Sequence, residues 1–100
     1  CWVVYLTSSN RVIERYRISQ GGVTGTVVDH RLIVKRALEL LATQLILVHN
    51  HPSGNPHPSD DDRRLTQLIQ KGAQTMNIRM IDHVIITDGL YYSFNDEGML

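Results

Sequence analysis

The sequence predicts a mixed α/β (α+β) fold in which two helices pack against one β-sheet. Short apolar runs rich in branched and aromatic side chains, bounded by Gly, Pro, Asn and Ser, are typical of strands. Two longer stretches repeat apolar residues at spacings of three and four, which is typical of helices that cover a sheet. The 100 residues support one modest core, so residues 1–100 are interpreted as a single domain.

The first part of the chain predicts a hairpin. The run Trp2–Leu6 is aromatic and branched, residues 8–10 supply turn chemistry, and residues 11–18 form the second arm. Glu14 in that arm is a candidate general base. A surface charge opposite an arginine is the favoured interpretation, because nothing in the spacing directs Glu14 toward the histidines described below.

A glycine-containing loop and a helix follow. Gly21, Gly22 and Gly25 mark sharp changes of backbone direction, but they do not form a phosphate-binding motif. Asp29 is suited to the N-cap of a helix that extends through about residue 42. The predicted apolar stripe of this helix consists of Ile33, Ala37, Leu40 and Leu41.

The next two elements are a buried strand and a second helix. Residues 45–48 form a short branched run that is cut off by Pro52, as expected of a buried strand. The second helix is predicted from about Asp60 to Met76. Its apolar stripe comprises Leu65, Leu68, Ile69, Gly72, Ala73 and Met76.

The chain closes with a second predicted hairpin. Residues 78–87 form an apolar-rich strand, and Asp88-Gly89 is a strong turn signal before the short strand at residues 90–94. Residues 95–100 are expected to form a loose tail.

The segment between the buried strand and the second helix carries the candidate chemistry. His49 and His51 are two residues apart in an extended segment, so their imidazoles are expected on one face as a pair of metal ligands. Ser59 can cap the second helix, and Asp62 in its first turn can turn back toward the two rings. Two histidines and one carboxylate leave a fourth position open on zinc, which is typical of catalytic sites.

Asp62 has a second interpretation. The spacing Ser59-x-x-Asp62 resembles a capping box, with Asp where Glu or Gln is usual, so the carboxylate could serve only to cap the helix. Considered alone, this spacing favours capping. The two upstream histidines at a suitable distance favour a metal ligand.

The same residues resemble a known motif. The arrangement His49-x-His51-Pro52, with ten residues between His51 and Asp62 and with Ser59 three positions before Asp62, is similar to the JAMM motif of JAB/MPN metallopeptidase domains. The variant His-Asn-His-Pro-Ser-Gly resembles the RadC branch of that family in particular. The likeness extends over nearly the whole chain, through residues 21–26, 37–40, 82–86 and 91–94.

The resemblance implies a fold, a metal and an activity. The implied JAB/MPN (cytidine-deaminase-like) architecture is a curved mixed sheet flanked by helices. His49, His51 and Asp62 would hold one Zn²⁺ ion, and Ser59 would donate a hydrogen bond to the substrate oxygen. The implied activity is that of a metallopeptidase or isopeptidase-type hydrolase, in which metal-bound water attacks an amide carbonyl of a peptide or isopeptide substrate.

The resemblance also bears on the general base. The family's catalytic glutamate lies just before the strand that begins here near Cys1. We therefore expect this chain to be a fragment of a longer RadC-like protein, able to bind metal but to hydrolyse slowly or not at all.

Three other functional classes stay open. RadC-like proteins carry a DNA-repair label, so one alternative is a metal-assisted DNA repair or DNA-binding module. Ten basic and ten acidic residues give a net charge of zero, with a local basic patch only at Arg63, Arg64 and Lys71, so charge does not favour DNA. The others are an iron oxygenase, which uses the same ligand types, and a non-catalytic interaction domain with a vestigial site.

The three remaining histidines are weaker candidates for site residues. His83, preceded by Asp82, is expected to be a hydrogen-bonded structural residue rather than a further ligand or proton shuttle. His30 and His57 are weaker candidates still, and His57, in a proline-flanked loop near the site, could only line its mouth.

Cysteine content and hydropathy exclude several other classes. The single cysteine excludes an internal disulfide and Cys-based zinc sites. The absence of an internal disulfide is compatible with the expected cytoplasmic location. No apolar run approaches the roughly 20 residues of a membrane helix, so no membrane contact is expected. The identity of the substrate and the oligomeric state are not specified by the sequence.

Overall fold

Five strands form one mixed sheet with two helices against it in the residues that the computed structural model describes, 1–18 and 28–100. The loop predicted around Gly21, Gly22 and Gly25 lies outside these residues. The predicted mixed α/β (α+β) class is confirmed. In chain order the elements are β1 (Trp2–Leu6), β2 (Val12–Arg17), α1 (His30–Glu39), β3 (Gln44–Asn50), α2 (Asp60–Thr75), β4 (Arg79–Ile86) and β5 (Tyr91–Ser93).

The strand order is β2-β1-β3-β4-β5. β1 is antiparallel to both β2 and β3, which confirms the first predicted hairpin. β3 and β4 are parallel and are connected through α2, so the centre of the sheet is a β-α-β unit. β5 returns antiparallel to β4 after a turn in which Gly89 has a φ of +88°, and this confirms the second hairpin.

The core lies between the sheet and the two helices. Tyr5 of β1, Leu47 of β3, Ile33 of α1 and Ile69 of α2 are all fully buried. Each of the three aliphatic side chains contributes about 1.5–3 kcal/mol through removal of apolar surface from water. The Tyr5 hydroxyl donates a 2.7 Å hydrogen bond to the Ile33 carbonyl oxygen, so its buried polar atom is satisfied. The core therefore holds β3 firmly up to the point where the site residues begin.

The apolar stripe of α1 is shorter than predicted. Ile33 and Ala37 are buried, but the helix ends at Glu39 rather than near residue 42. Leu41 follows with a φ of 53° and 84% of its surface exposed, so its assignment to the stripe was wrong. The left-handed conformation just after the helix turns the chain toward β3 and takes Leu41 off the buried face.

The buried face of α2 is narrower than predicted. The helix spans Asp60–Thr75, close to the expected bounds, but Leu68 and Met76 are exposed, so their places in the stripe were wrong. Within the described residues, neither α1 nor α2 combines the length and apolar character needed to cross a membrane. The buried residues of α2 are Thr66, Ile69 and Ala73.

Residues 95–100 do not form the predicted loose tail. The Asn95 backbone N–H donates to Asp82 Oδ1 at 3.0 Å, and the same oxygen accepts the backbone N–H of His83 at 2.7 Å. Leu100 packs against the hydrophobic core. The Asp82 side chain thus ties the end of the chain to β4.

Candidate metal centre

Three side chains meet at one end of β3. His49 is the penultimate residue of the strand, His51 follows directly after it, and Asp62 lies in the first turn of α2. The His49 and His51 Nε2 atoms are 3.1 Å apart. Asp62 Oδ1 is 3.1 Å from His49 Nε2, and Asp62 Oδ2 is 2.9 Å from His51 Nε2. The structure therefore brings together the three residues predicted as ligands, each with less than a fifth of its side chain exposed.

The alternation of side chains in an extended chain explains the histidine pair. His49 and His51 flank the exposed Asn50, so the two rings share a face while the intervening side chain faces away from them. The His51 backbone N–H donates to the Ile86 carbonyl at 3.0 Å, which extends the pairing with β4 one residue beyond the strand. This bond holds His51 in register with His49.

The start of α2 places the carboxylate. The Ser59 hydroxyl oxygen accepts the Asp62 backbone N–H at 3.1 Å, and Asp62 Oδ2 accepts the Ser59 backbone N–H at 2.8 Å. These two bonds form a complete capping box. The same Oδ2 atom faces His51, so the capping and ligand interpretations of Asp62 are both compatible with the structure.

Asp62 is held in its ionised form. Burial raises the pKa of the carboxyl group, but the adjacent His49 ring and the hydrogen bond from the Ser59 backbone N–H outweigh burial and lower that pKa well below its usual range. A charged carboxylate is the form that binds a metal ion.

His51 has its other ring nitrogen occupied. His51 Nδ1 lies 2.9 Å from the backbone carbonyl oxygen of Asn55. A carbonyl can only accept, so the proton of that ring lies on Nδ1 and Nε2 retains its lone pair. The loop after β3 therefore presents His51 Nε2 to the centre as an electron donor.

His83 lies behind His49 on the neighbouring strand β4. It is fully buried, its Nε2 atom lies 2.8 Å from His49 Nδ1, and its Nδ1 atom lies 2.5 Å from Thr66 Oγ1. Burial lowers the pKa of His83 to about 3, so the ring is neutral. The sequence predicted a hydrogen-bonded histidine here, and the structure identifies the ligand ring as its partner.

Thr66 is the residue near the site that sequence reasoning missed. It lies one helical turn after Asp62, where a polar side chain in the apolar stripe of α2 is the only signal for a buried role. Its hydroxyl donates to the Asp62 carbonyl oxygen at 2.9 Å and contacts His83.

Ser59 lies at the edge of the centre and is exposed. Its oxygen accepts the Asp62 N–H, which leaves the hydroxyl proton available for another acceptor. This proton can form a hydrogen bond with a substrate oxygen that lies near the carboxylate.

Other candidates lie elsewhere. Glu14 is on β2, two strands away from β3, and both of its oxygens accept from the Arg36 guanidinium at 2.7 and 2.6 Å. This agrees with the interpretation of Glu14 as a charge paired with an arginine. His57 is exposed and contacts Tyr92 edge-on at 6.3 Å between ring centroids, and His30 is the first residue of α1.

The donor set of the centre fits a cation. Ligand atoms of His49, His51 and Asp62 all lie within 4.8 Å of one another. With neutral rings the two Nε2 atoms and the carboxylate oxygens face one another as electron donors, and a positive charge is needed between them to offset their repulsion. Their separations of 2.9 to 3.1 Å approach the about 3.3 Å between neighbouring ligands of a tetrahedral zinc ion. These three residues can therefore bind a metal ion.

Comparison with known proteins gives a consistent result. A family model described as the RadC-like JAB domain matches residues 1–99. The chain is 48% identical over 98 residues to a UPF0758 protein of Flavobacterium johnsoniae, a match that covers 98% of this chain and 43% of that relative. A UPF0758 protein of Porphyromonas gingivalis is also 48% identical, over 99% of this chain and 44% of the relative. The chain thus spans less than half the length of these relatives, and over nearly all of its own length it belongs to the RadC-like JAB domain family.

Proposed function

We propose that this chain carries the metal centre of a zinc-dependent hydrolase that cleaves amide bonds in a peptide or isopeptide substrate. One observation carries the proposal: two imidazole nitrogens and one carboxylate converge on a single point at the end of β3. Three protein ligands leave room for a water or substrate at the fourth position, as in catalytic zinc sites.

The ligand types favour zinc over other common ions. Imidazole nitrogens suit zinc, whereas magnesium and calcium prefer oxygen ligands. Two histidines and one carboxylate are also the ligands of non-haem iron oxygenases, so metal identity is part of the test below. When bound, zinc supplies a water of lowered pKa and a Lewis acid that polarises a carbonyl group.

The residues of this chain would have separate roles in the reaction. His49, His51 and Asp62 hold the ion, and their burial keeps bulk water from competing for it. The Ser59 hydroxyl donates a hydrogen bond to the oxygen that gains charge as the amide is attacked, a contribution of about 2.7–4 kcal/mol in a comparable oxyanion site. The base that accepts the proton would be a further carboxylate.

Zinc titration of the protein is the direct test. We expect one zinc ion per chain, with binding abolished by His51→Ala and by Asp62→Ala because each removes a ligand. Asp61→Ala is the matched control: Asp61 is the neighbouring acid of the same helical turn, its side chain is 91% exposed, and its nearest ion pair is with Arg64. Equal loss of zinc in the Asp61 and Asp62 variants would contradict the proposed centre, and so would tighter binding of iron than of zinc.

Activity is tested in a protein of the length of the matched relatives. Zinc-loaded protein should cleave members of a peptide and isopeptide panel, and His51→Ala should be inactive in the same assay. Cleavage that survives His51→Ala would contradict the metal mechanism. DNA is the competing substrate class, and the exposed acids Asp60 and Asp61 beside the centre disfavour a phosphate backbone. Steeply salt-dependent DNA binding would support that class instead.

A further inference from the structure

His83 joins two of the candidate ligands without being one of them. Its Nε2 atom lies 2.8 Å from His49 Nδ1, and its Nδ1 atom lies 2.5 Å from Thr66 Oγ1. Thr66 Oγ1 in turn donates to the Asp62 carbonyl oxygen at 2.9 Å. A hydrogen-bonded path therefore runs from the ligand on β3, through β4, to the residue on α2 that supplies the carboxylate.

The positions of the protons follow from the donors available. A threonine hydroxyl has one proton, and Thr66 gives it to the Asp62 carbonyl, which has none to give in return. Thr66 Oγ1 can then only accept from His83, which places the proton of His83 on Nδ1. A neutral ring with its proton on Nδ1 has a lone pair on Nε2, so His83 Nε2 accepts a hydrogen bond from His49 Nδ1.

We propose that His83, oriented by Thr66, is a positioning residue that keeps a proton on Nδ1 of His49 and so leaves the His49 Nε2 lone pair for the metal. The inference rests on the metal centre proposed above and deepens it. In metalloproteins an outer hydrogen bond of this kind fixes the tautomer and orientation of a ligand ring, and its loss weakens metal binding by about 10- to 100-fold.

Packing alone does not account for an imidazole at this position. The His83 ring stacks on Phe94 with 4.5 Å between centroids and 3° between planes. A phenylalanine would occupy the same space without burying two polar nitrogens, which cost free energy unless each has a partner. Both nitrogens have partners, and both partners belong to the metal centre or contact it.

The proton position is measured first. In ¹⁵N-labelled protein, the scalar coupling across an N–H···N hydrogen bond identifies both nitrogens and the one that carries the proton. We expect the coupling between His49 and His83, with the proton on His49 Nδ1, in the presence and absence of zinc. A proton on His83 Nε2, or no coupling between the two rings, would overturn the inference.

Zinc affinity is measured second, by competition with a chromophoric chelator. His83→Phe should weaken zinc binding by about 10- to 100-fold because it keeps the ring and removes the acceptor. His83→Gln should restore most of the affinity, since its amide oxygen can accept the bond from His49. Thr66→Val and Thr66→Ser form a second pair, in which only the variant with a hydroxyl keeps wild-type affinity. His30→Phe, which removes an imidazole from the start of α1, is the control and should bind zinc normally.

The two proposals fail in different ways. Zinc binding with unchanged affinity in His83→Phe would overturn this inference and leave the proposed function intact. A wild-type protein that binds no zinc would remove the proposed function, while the coupling measurement still decides where the proton lies. If circular dichroism shows that His83→Phe is unfolded, the His83→Gln variant and the Thr66 pair decide the affinity question.

Discussion

Asp62 uses both of its carboxylate oxygens. Oδ2 accepts the Ser59 backbone N–H and faces His51, while Oδ1 faces His49. The short side chain of aspartate suits both tasks, because it reaches back to the start of the helix and still lies beside the two rings. One residue thus fixes the beginning of α2 and supplies a candidate ligand.

Ser59 provides a test that separates the two tasks. Ser59→Ala should lower the free energy of unfolding by about 1 kcal/mol, because the Asp62 N–H loses its acceptor at the N-cap. Zinc affinity should change little, since the Ser59 backbone N–H still orients the Asp62 carboxylate. Urea denaturation and zinc titration measure the two quantities. Ser59→Thr, which keeps the hydroxyl, should have near wild-type stability, and a loss of zinc binding in Ser59→Ala would contradict this division.

Much of the site could be predicted from the sequence at the level of single residues. The period-two spacing of His49 and His51 and the capping signal at Ser59 are local properties, and both are present in the structure. The partner of His83 could not be predicted, because it depends on the parallel register that places β4 beside β3. Thr66 is likewise identified only by where α2 lies on the sheet.

The helices show where periodicity succeeds and where it fails. Ile69 and Ala73 were expected in the core and are there, because a three-and-four spacing marks one face of a helix. Leu68 and Leu41 are exposed. An amphipathic pattern identifies the centre of the buried face of a helix better than its width, which explains Leu68. Leu41 was misassigned because α1 ends at Glu39, and the end of a helix depends on the turn that follows it. Element type and the bounds of α2 were therefore predictable, whereas the end of α1 and the full buried set were not.

The contact between α1 and α2 offers a stabilising substitution. A Cβ atom at Gly72 of α2 would lie 3.6 Å from Val34 Cγ2, an ordinary van der Waals distance. Gly72→Ala should therefore raise the free energy of unfolding by about 0.5–1 kcal/mol, because alanine loses less backbone entropy in a helix. Chemical denaturation measures the change.

Gly89 is the matched control for this prediction. It also has space for a Cβ atom, but its φ of +88° is unfavourable for alanine. Gly89→Ala should lower stability by about 1–2 kcal/mol. Destabilisation by Gly72→Ala would show that α1 and α2 pack more tightly than the 3.6 Å distance implies.

In the molecule as a whole, the centre lies at the carboxyl end of β3, beside its parallel neighbour β4 and at the amino end of α2. Ligand sites in α/β sheets are common at the carboxyl ends of parallel strands, and the positive end of a helix dipole favours the ionised form of Asp62. The antiparallel strands β1, β2 and β5 extend the sheet on either side of this parallel pair.

Metal binding should stabilise the entire fold. An ion held between β3 and α2 binds the folded state and not the unfolded chain, so zinc at 100 times its Kd should add about 2.7 kcal/mol. For a protein of this size that corresponds to a rise in Tm of about 10–20 °C. Differential scanning calorimetry with zinc or with EDTA measures the shift. His51→Ala should show no shift, and a rise of equal size in that variant would mean that zinc binds elsewhere.

The capping box also constrains how the motif can change in length. Each residue of an α-helix adds about 100° of rotation and about 1.5 Å of rise. One residue inserted between Ser59 and Asp62 would carry the carboxylate around the helix and away from both imidazoles. The connection between His51 and Ser59 also contributes to the site, since the Asn55 carbonyl oxygen lies 2.9 Å from His51 Nδ1. Insertions and deletions among homologues should therefore be absent from the two positions that follow the serine.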